Sequence, residues 1–335
     1  MEDFGIGLVG AGGMGKSLVL EANQIEGVKV VFVSDLDEDR ARSLAAEVNA
    51  SYTLDYHRLL CDDRIHAVFV ASPPFLHATI SIDAMNSGKH VFCEKPMATT
   101  LKDCDAMIKT AEQNQVNLGV GLVCRFHATH SKVREIVVSE QLGKPISMHV
   151  HRIGGPWQGG SYHTDWRMQR EKCGGFLMEV NAHEIDFMRW TCGEIKKVYA
   201  AGGTYIQHEA DYADLVVASL NFENGAVGLL HSGQVSAIGG YGGRVDCEKG
   251  SIFFPQIWGG DSKIQIKRFD GSGEDIPISS IEVESPVRAE IRAFIDATID
   301  GVTPPVAGAD GRAATEIALA AYRSIETGDP VNLPM

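Results

Sequence analysis

The sequence predicts an α/β domain built on a parallel sheet, followed by an α+β domain with a large, mostly antiparallel sheet. Three observations carry this expectation. Strand and helix patterns alternate with short connections from residue 4 to residue 123. Beyond residue 190, strand patterns follow one another without helices between them. A glycine-rich turn joins the first strand directly to the first helix. The chain's 335 residues correspond to about two domains of roughly 150 residues each. With 44% hydrophobic and 22% charged residues it can fill two cores.

Residues 4–9 read as a short buried strand, and a helix follows from 14 to 24. Residues 28–34 are apolar except for Lys29 and Ser34, too continuously hydrophobic for a half-exposed strand. A helix over 37–48 carries its charges on one face. A strand over 67–71 leads to a helix over 75–87, stopped by Gly88 at a position suited to a left-handed cap. A strand at 90–93, a helix at 101–113 and a strand at 117–123 complete the alternation. This is the pattern of a parallel sheet covered on both faces, a Rossmann-type domain expected over residues 1–124.

Further on, 127–139 reads as a helix, 146–152 as a strand, 154–160 as a loop holding Pro156 and Trp157, and 175–190 as a helix. Strands follow at 198–203, 215–222, 226–233 and 244–248, with shorter pieces near Ile252 and Ile264. Asn224-Gly225 signals a type I′ hairpin between two of them. Pro286 precedes a helix over 290–299. Asp310 is placed to cap a last helix over 311–326, and Gly328 to end it. The second domain is expected over 125–335, its last helices able to pack back on the first.

The formal net charge is −14, which argues against a nonspecific nucleic-acid binder because no cationic surplus exists to neutralise phosphates. The N-terminal residues lack the basic and then apolar pattern of a secretory signal, and no run of 18 apolar residues occurs, so no membrane span is expected. Seven cysteines stand singly, with no CxxC, as in a reduced cytoplasmic protein.

Gly10-Ala11-Gly12-Gly13-Met14-Gly15 fits GxGxxG directly after a strand and at the start of a helix. Gly10 permits the tight turn, Gly12 lets a pyrophosphate approach the backbone, and Gly15 allows close helix–strand packing. The helix N-terminus then offers N–H groups and a positive dipole end to phosphates. Asp35 ends the second strand, where a carboxylate accepts from a ribose 2′-hydroxyl and repels a 2′-phosphate. NAD is therefore favoured over NADP. Asp37 adds to the repulsion, while Arg40 argues weakly the other way. The alternatives are an ordinary turn with a strand-end cap, or a flavin site.

His90-Val91-Phe92-Cys93 runs into Glu94-Lys95-Pro96. Ligands of open α/β sheets bind beyond the carboxyl ends of the strands, so Glu94 and Lys95 are expected near a nicotinamide. A cation there favours the alkoxide that develops as hydride leaves. A surface salt bridge is the competing explanation.

In the second domain, Glu179 and His183 are spaced i, i+4 on the expected 175–190 helix and share a face, with Asp186 within reach. Histidine suits removal of a hydroxyl proton, since its unperturbed pKa is about 6.5. A satisfied histidine at a domain contact is the alternative. A zinc site is weaker, because His183-Glu184-Ile185-Asp186 is not HExxH. Asn181 offers an amide donor on the adjoining face. Tyr162-His163-Thr164-Asp165-Trp166-Arg167 mixes hydrogen-bonding side chains with a flat apolar surface, suited to a polyol or equally to a solvated loop. Trp157 is similar. His149 and His151 share one strand face and are either structural or substrate-facing.

Taken together, the chain resembles the Gfo/Idh/MocA family. The resemblance rests on Gly10–Gly15, on Ser72-Pro73-Pro74-Phe75-Leu76-His77, and on Gly88-Lys89-His90-Val91 into Glu94-Lys95-Pro96. It continues through Gly174-Gly175-Phe176-Leu177-Met178-Glu179 with His183 and Asp186, and through residues 306–311 and 322–324. It implies that Lys95 is the catalytic lysine, acting together with Glu179 and His183 as the catalytic set. It also implies that Ser72, Pro73 and His77 lie along the cofactor, that Glu94 contacts the nicotinamide side, and that Arg125 meets both cofactor and substrate. Glu179 stands where the family usually has aspartate, and Asn181 where it often has glycine.

The expected function is an NAD-dependent dehydrogenase acting on a secondary hydroxyl of a sugar, inositol or sugar derivative, with Lys95 and His183 meeting at one carbinol. One alternative is an enzyme that recycles its NAD through transient oxidation to cleave or eliminate. Another is a noncatalytic NAD-binding sensor. The resemblance further implies a homodimer or homotetramer, formed through the second-domain sheet.

Overall fold

Runs of β-branched and aromatic residues set the first sheet. The computed structural model describes residues 3–157, 164–257 and 262–335. The chain opens with β1 (Phe4–Val9), α1 (Gly13–Ala22), β2 (Val28–Ser34), α2 (Glu38–Glu47), β3 (Ser51–Thr53) and α3 (Tyr56–Leu60). It continues with β4 (Ala67–Val70), α4 (Pro74–Asn86), β5 (His90–Glu94), α5 (Leu101–Asn114) and β6 (Leu118–Gly121). These six strands form one parallel sheet, ordered β3-β2-β1-β4-β5-β6. Every residue of β1 and β4 is buried, as strands covered on both faces require. The strand order reverses between β1 and β4, so the ligand crevice of such a sheet lies at their carboxyl ends.

Next come α6 (Ala128–Val138), β7 (Pro145–Ile153), α7 (Arg170–Cys173), α8 (Phe176–Glu179), α9 (Ala182–Cys192), β8 (Ile195–Gly203), β9 (Leu215–Phe222) and β10 (Val227–Gly233). The last elements are β11 (Gly240–Cys247), β12 (Gly250–Phe254), β13 (Lys263–Arg268), β14 (Gly273–Pro277), α10 (Pro286–Ile299), α11 (Gly308–Thr327) and β15 (Val331–Asn332). The second sheet runs β14-β13-β12-β11-β7-β10-β9-β8-β15. All its pairings are antiparallel except β7 with β10.

Two compact units result. The first is Met1–Val123 with Glu284–Arg312; the second is Cys124–Val283 with Ala313–Met335. The returning segment completes the first core: Phe294 of α10 meets Phe92 and Phe69 edge-on at 5.5 and 6.1 Å. In the second unit, Met148, Val150, Val216, Ala218, Leu230 and Val245 face a core shared with α6, α9 and the later turns of α11. The alternate residues, among them Tyr199, Val217, Leu229 and Phe253, lie exposed on the outer face. Among the described residues no helix is long and apolar enough to cross a membrane.

Local expectations are corrected at three places. The helix expected over 175–190 is two helices, α8 and α9, separated at Val180 and Asn181. The β9–β10 hairpin exists, but Asn224 lacks the positive φ that a type I′ turn requires; only Gly225 has it, and the Asn224 side chain accepts from the Ala226 N–H instead. Asp310 lies inside the first turn of α11, which starts at Gly308, and accepts from the Ala307 N–H.

Candidate active site

In the first unit, the chain leaves β1 through Gly10 at φ +102°. A Cβ there would stand 2.6 Å from the Ala71 main chain, so only glycine passes. A Cβ at Gly12 or Gly13 would meet nothing within 4 Å, so the backbone faces open space at the N-terminus of α1. Gly15 packs on the Gly10 carbonyl, and Met14 is exposed. The N-cap residue of α1, Gly12, makes no side-chain cap hydrogen bond, which leaves the first-turn N–H groups for an anion. Asp35 follows β2; its Oδ2 accepts from the Ala11 N–H at 2.7 Å and its Oδ1 from the Asp37 N–H at 2.9 Å. Each oxygen keeps a second acceptor direction. Arg40 lies 3.2 Å from the Asp37 carboxylate, its charge already answered. An open glycine turn, an uncapped helix start and an acceptor after β2 together fit an NAD-type dinucleotide.

Beyond β5, the buried Glu94 accepts from the Lys95 N–H at 3.1 Å, and Lys95 is half-buried. His77, buried on α4, places Nε2 2.7 Å from the Ser72 carbonyl and Nδ1 2.8 Å from the Pro96 carbonyl. It ties the Ser72-Pro73 loop to the segment that carries Lys95. Sequence reasoning missed Glu290 of α10, whose signal is a lone acid on the apolar face of that helix. Burial, and then Glu94, hold its carboxyl well above the usual carboxylate range.

In the second unit, Glu179 ends α8 and His183 lies in the first turn of α9, so the two are not on one continuous helix. Both are buried. Glu179 Oε1 accepts from Arg167 Nε at 3.0 Å, and the Arg167 guanidinium stacks 4.2 Å from the Trp166 ring centre. Trp157 meets Phe176 edge-on at 6.0 Å and donates its main-chain N–H to Gln207 at 3.1 Å. Asp165 is exposed. Arg125, which the resemblance sends to cofactor and substrate, is buried and donates from Nε and Nη2 to Asp186 at 2.7 and 2.6 Å.

Asn181 donates to Glu184 at 2.7 Å and accepts from the Ser232 hydroxyl, while Arg152 donates to the other Glu184 oxygen at 3.0 Å. Sequence reasoning passed over Arg152, Glu184 and Ser232, because their partners come from distant elements. His149 and His151 stand on the outer face of β7, ring centres 5.7 Å apart, and burial pushes both imidazoles below the ordinary histidine value. Tyr162, His163 and the end of the glycine-rich loop lie outside the described residues.

Comparison with known proteins identifies the family. Residues 4–122 match the Gfo/Idh/MocA oxidoreductase family, described by its NAD-binding Rossmann fold, and residues 130–253 match the Gfo/Idh/MocA C-terminal domain. The uncharacterized oxidoreductase YrbE of Bacillus subtilis (strain 168) is 30% identical, covering 98% of this chain and 96% of its own. Myo-inositol 2-dehydrogenase of Thermotoga maritima is 28% identical, covering 98% of each. A levoglucosan dehydrogenase solved with NADH and levoglucosan superposes with a TM-score of 0.88 over 100% of both chains at 23% identity, a likeness of fold. The chain belongs to the Gfo/Idh/MocA oxidoreductase family, with an NAD-binding Rossmann fold in its first unit.

Proposed function

We propose that the protein is an NAD-dependent dehydrogenase moving hydride between a secondary hydroxyl of a sugar, inositol or sugar derivative and NAD. The open glycine turn over Gly12 and Gly13, beside the carboxylate of Asp35, is the observation that carries it. Full-length similarity to a myo-inositol 2-dehydrogenase supports the substrate class. NAD supplies the hydride acceptor when bound. Gly10, Gly12, Gly13, Met14 and Gly15 hold the pyrophosphate, Asp35 the adenosine ribose, and Ser72, Pro73, His77, Glu94 and Arg125 build the remaining cofactor side. His183 takes the hydroxyl proton, and Lys95 stabilises the alkoxide. Trp157, Asp165, Trp166, Arg167 and Glu179 receive the substrate.

NAD reduction across inositols, aldoses, uronates and glycosides tests this function. Net NADH with a free sugar or polyol is the expected result. Glycoside consumption without net NADH indicates a redox-recycling enzyme, and NAD binding with no turnover indicates a sensor.

We further place a second copy of the chain against the outer face of the second sheet. Tyr199, Val217 and Leu229 lie exposed there around Ser219, apolar surface that one subunit leaves to water, while Phe253 stands apart from them beyond His149 and Arg244. Light scattering at a single chain mass would refute it. Seven cysteines without a disulfide suit the cytoplasm.

A further inference from the structure

We propose that the second unit selects an uncharged sugar or polyol over a sugar acid or sugar phosphate, and that Glu179 is the specificity-determining residue. The inference rests on the dehydrogenase function proposed above.

The stretch from α8 into α9 presents three carboxylates, Glu179, Glu184 and Asp186, and each meets an arginine from another part of the unit. Arg167 lies 3.0 Å from Glu179, Arg152 3.0 Å from Glu184, and Arg125 2.6 Å from Asp186. Carboxylates and phosphates of ligands are held by such guanidinium forks, because the planar donors match two anionic oxygens at once. Here each fork already faces a carboxylate of the chain.

Of the three, the Arg167–Glu179 pair lies among the residues suited to a sugar. Its guanidinium is stacked on Trp166, the acid is buried and the arginine only partly exposed. A ligand carboxylate drawn to Arg167 would enter beside the Glu179 carboxylate, where water screens little of the repulsion. A hydroxyl meets no such opposition, since it donates to a carboxylate oxygen and accepts from a guanidinium N–H in the same place. Glutamate carries one more methylene than the aspartate usual at this position in the family, and in this chain it reaches Arg167.

The test compares the NAD-loaded wild type with Glu179→Gln, which keeps size and removes charge, and with Glu179→Asp, which keeps charge and shortens the reach. Initial rates and calorimetric binding are measured with two ring-matched pairs, glucose with glucuronate and glucose with glucose 6-phosphate. The wild type is expected to favour glucose in each pair by about tenfold or more. Glu179→Gln should cut that preference by about tenfold, and Glu179→Asp should retain most of it. Loss of shape alone would affect the aspartate variant at least as strongly.

A wild type that favours either anion overturns the proposal. So does a glutamine variant in which neither anion gains on glucose, by rate or by binding. A wild type that reduces no NAD with any sugar contradicts the dehydrogenase function, and the binding ratios then decide the charge preference separately.

Discussion

Arg125 and Asp186 form a two-pronged ion pair, Nε to Oδ2 at 2.7 Å and Nη2 to Oδ1 at 2.6 Å, with both side chains almost fully buried. The Arg125 guanidinium also lies 5.2 Å from the Trp190 ring centre, with Arg134 at 4.4 Å from the same ring. The pair fastens the segment that opens the second unit to α9, the helix bearing His183.

Breaking this pair from one side strands a buried charge. Asp186→Asn or Arg125→Met is expected to cost about 3–5 kcal/mol of stability, and replacing both with apolar residues to cost less than either alone. Urea unfolding of the singles and the double measures this. Additive single losses would show that the two side chains act independently.

His130 supplies a pH test. It is fully buried, its Nε2 is 2.9 Å from the Tyr241 hydroxyl, and its Nδ1 has no hydrogen-bond partner among the described residues. Burial, then the neighbouring His127 and Arg152, push its pKa down to about 3. The folded chain keeps this imidazole neutral, whereas the unfolded chain protonates it below its ordinary value of about 6.5. The associated stability is fully present above about pH 6.5 and is lost as pH falls toward 3, at about 1.4 kcal/mol per pH unit. Unfolding measured from pH 7 to pH 5 should show this slope in the wild type, reduced by about that amount in His130→Leu. Equal slopes in both proteins would contradict it.

Asp35 is expected to set the choice between NAD and NADP. Its carboxylate sits beside the Ala11 N–H of the glycine turn, and Asp37 engages Arg40. Asp35→Ser should lower the kcat/KM ratio of NAD to NADP by about tenfold or more, through removal of a like charge facing the 2′-phosphate. An unchanged ratio would place the ribose elsewhere.

What the sequence made legible was local. Six buried residues run directly into Gly10, and the continuous apolar run of β2 ends at Asp35; both signals sit within a few positions of the structure they specify. The three residues of β3 and five of α3 were too short to show a period. The break between α8 and α9 was hidden because Asn181 is engaged by Ser232 from β10 and by Glu184, which is braced by Arg152 from β7. The parallel β7–β10 pairing was hidden for the same reason, since β10 already has its hairpin partner β9. The Arg167–Glu179 pair also joins two separate segments. Those contacts follow from the assembled fold, where periodicity and turn chemistry give no signal.

Lys95 and His183 are proposed to run hydride chemistry on a substrate hydroxyl. Stopped-flow measurement of NADH formation, with the sugar or polyol that the panel identifies, tests it in the wild type, Lys95→Met and His183→Gln, alongside NAD binding to each. NADH formation should slow by about 10²-fold or more in both variants, with NAD affinity largely kept. Wild-type rates of NADH formation in either variant would contradict it.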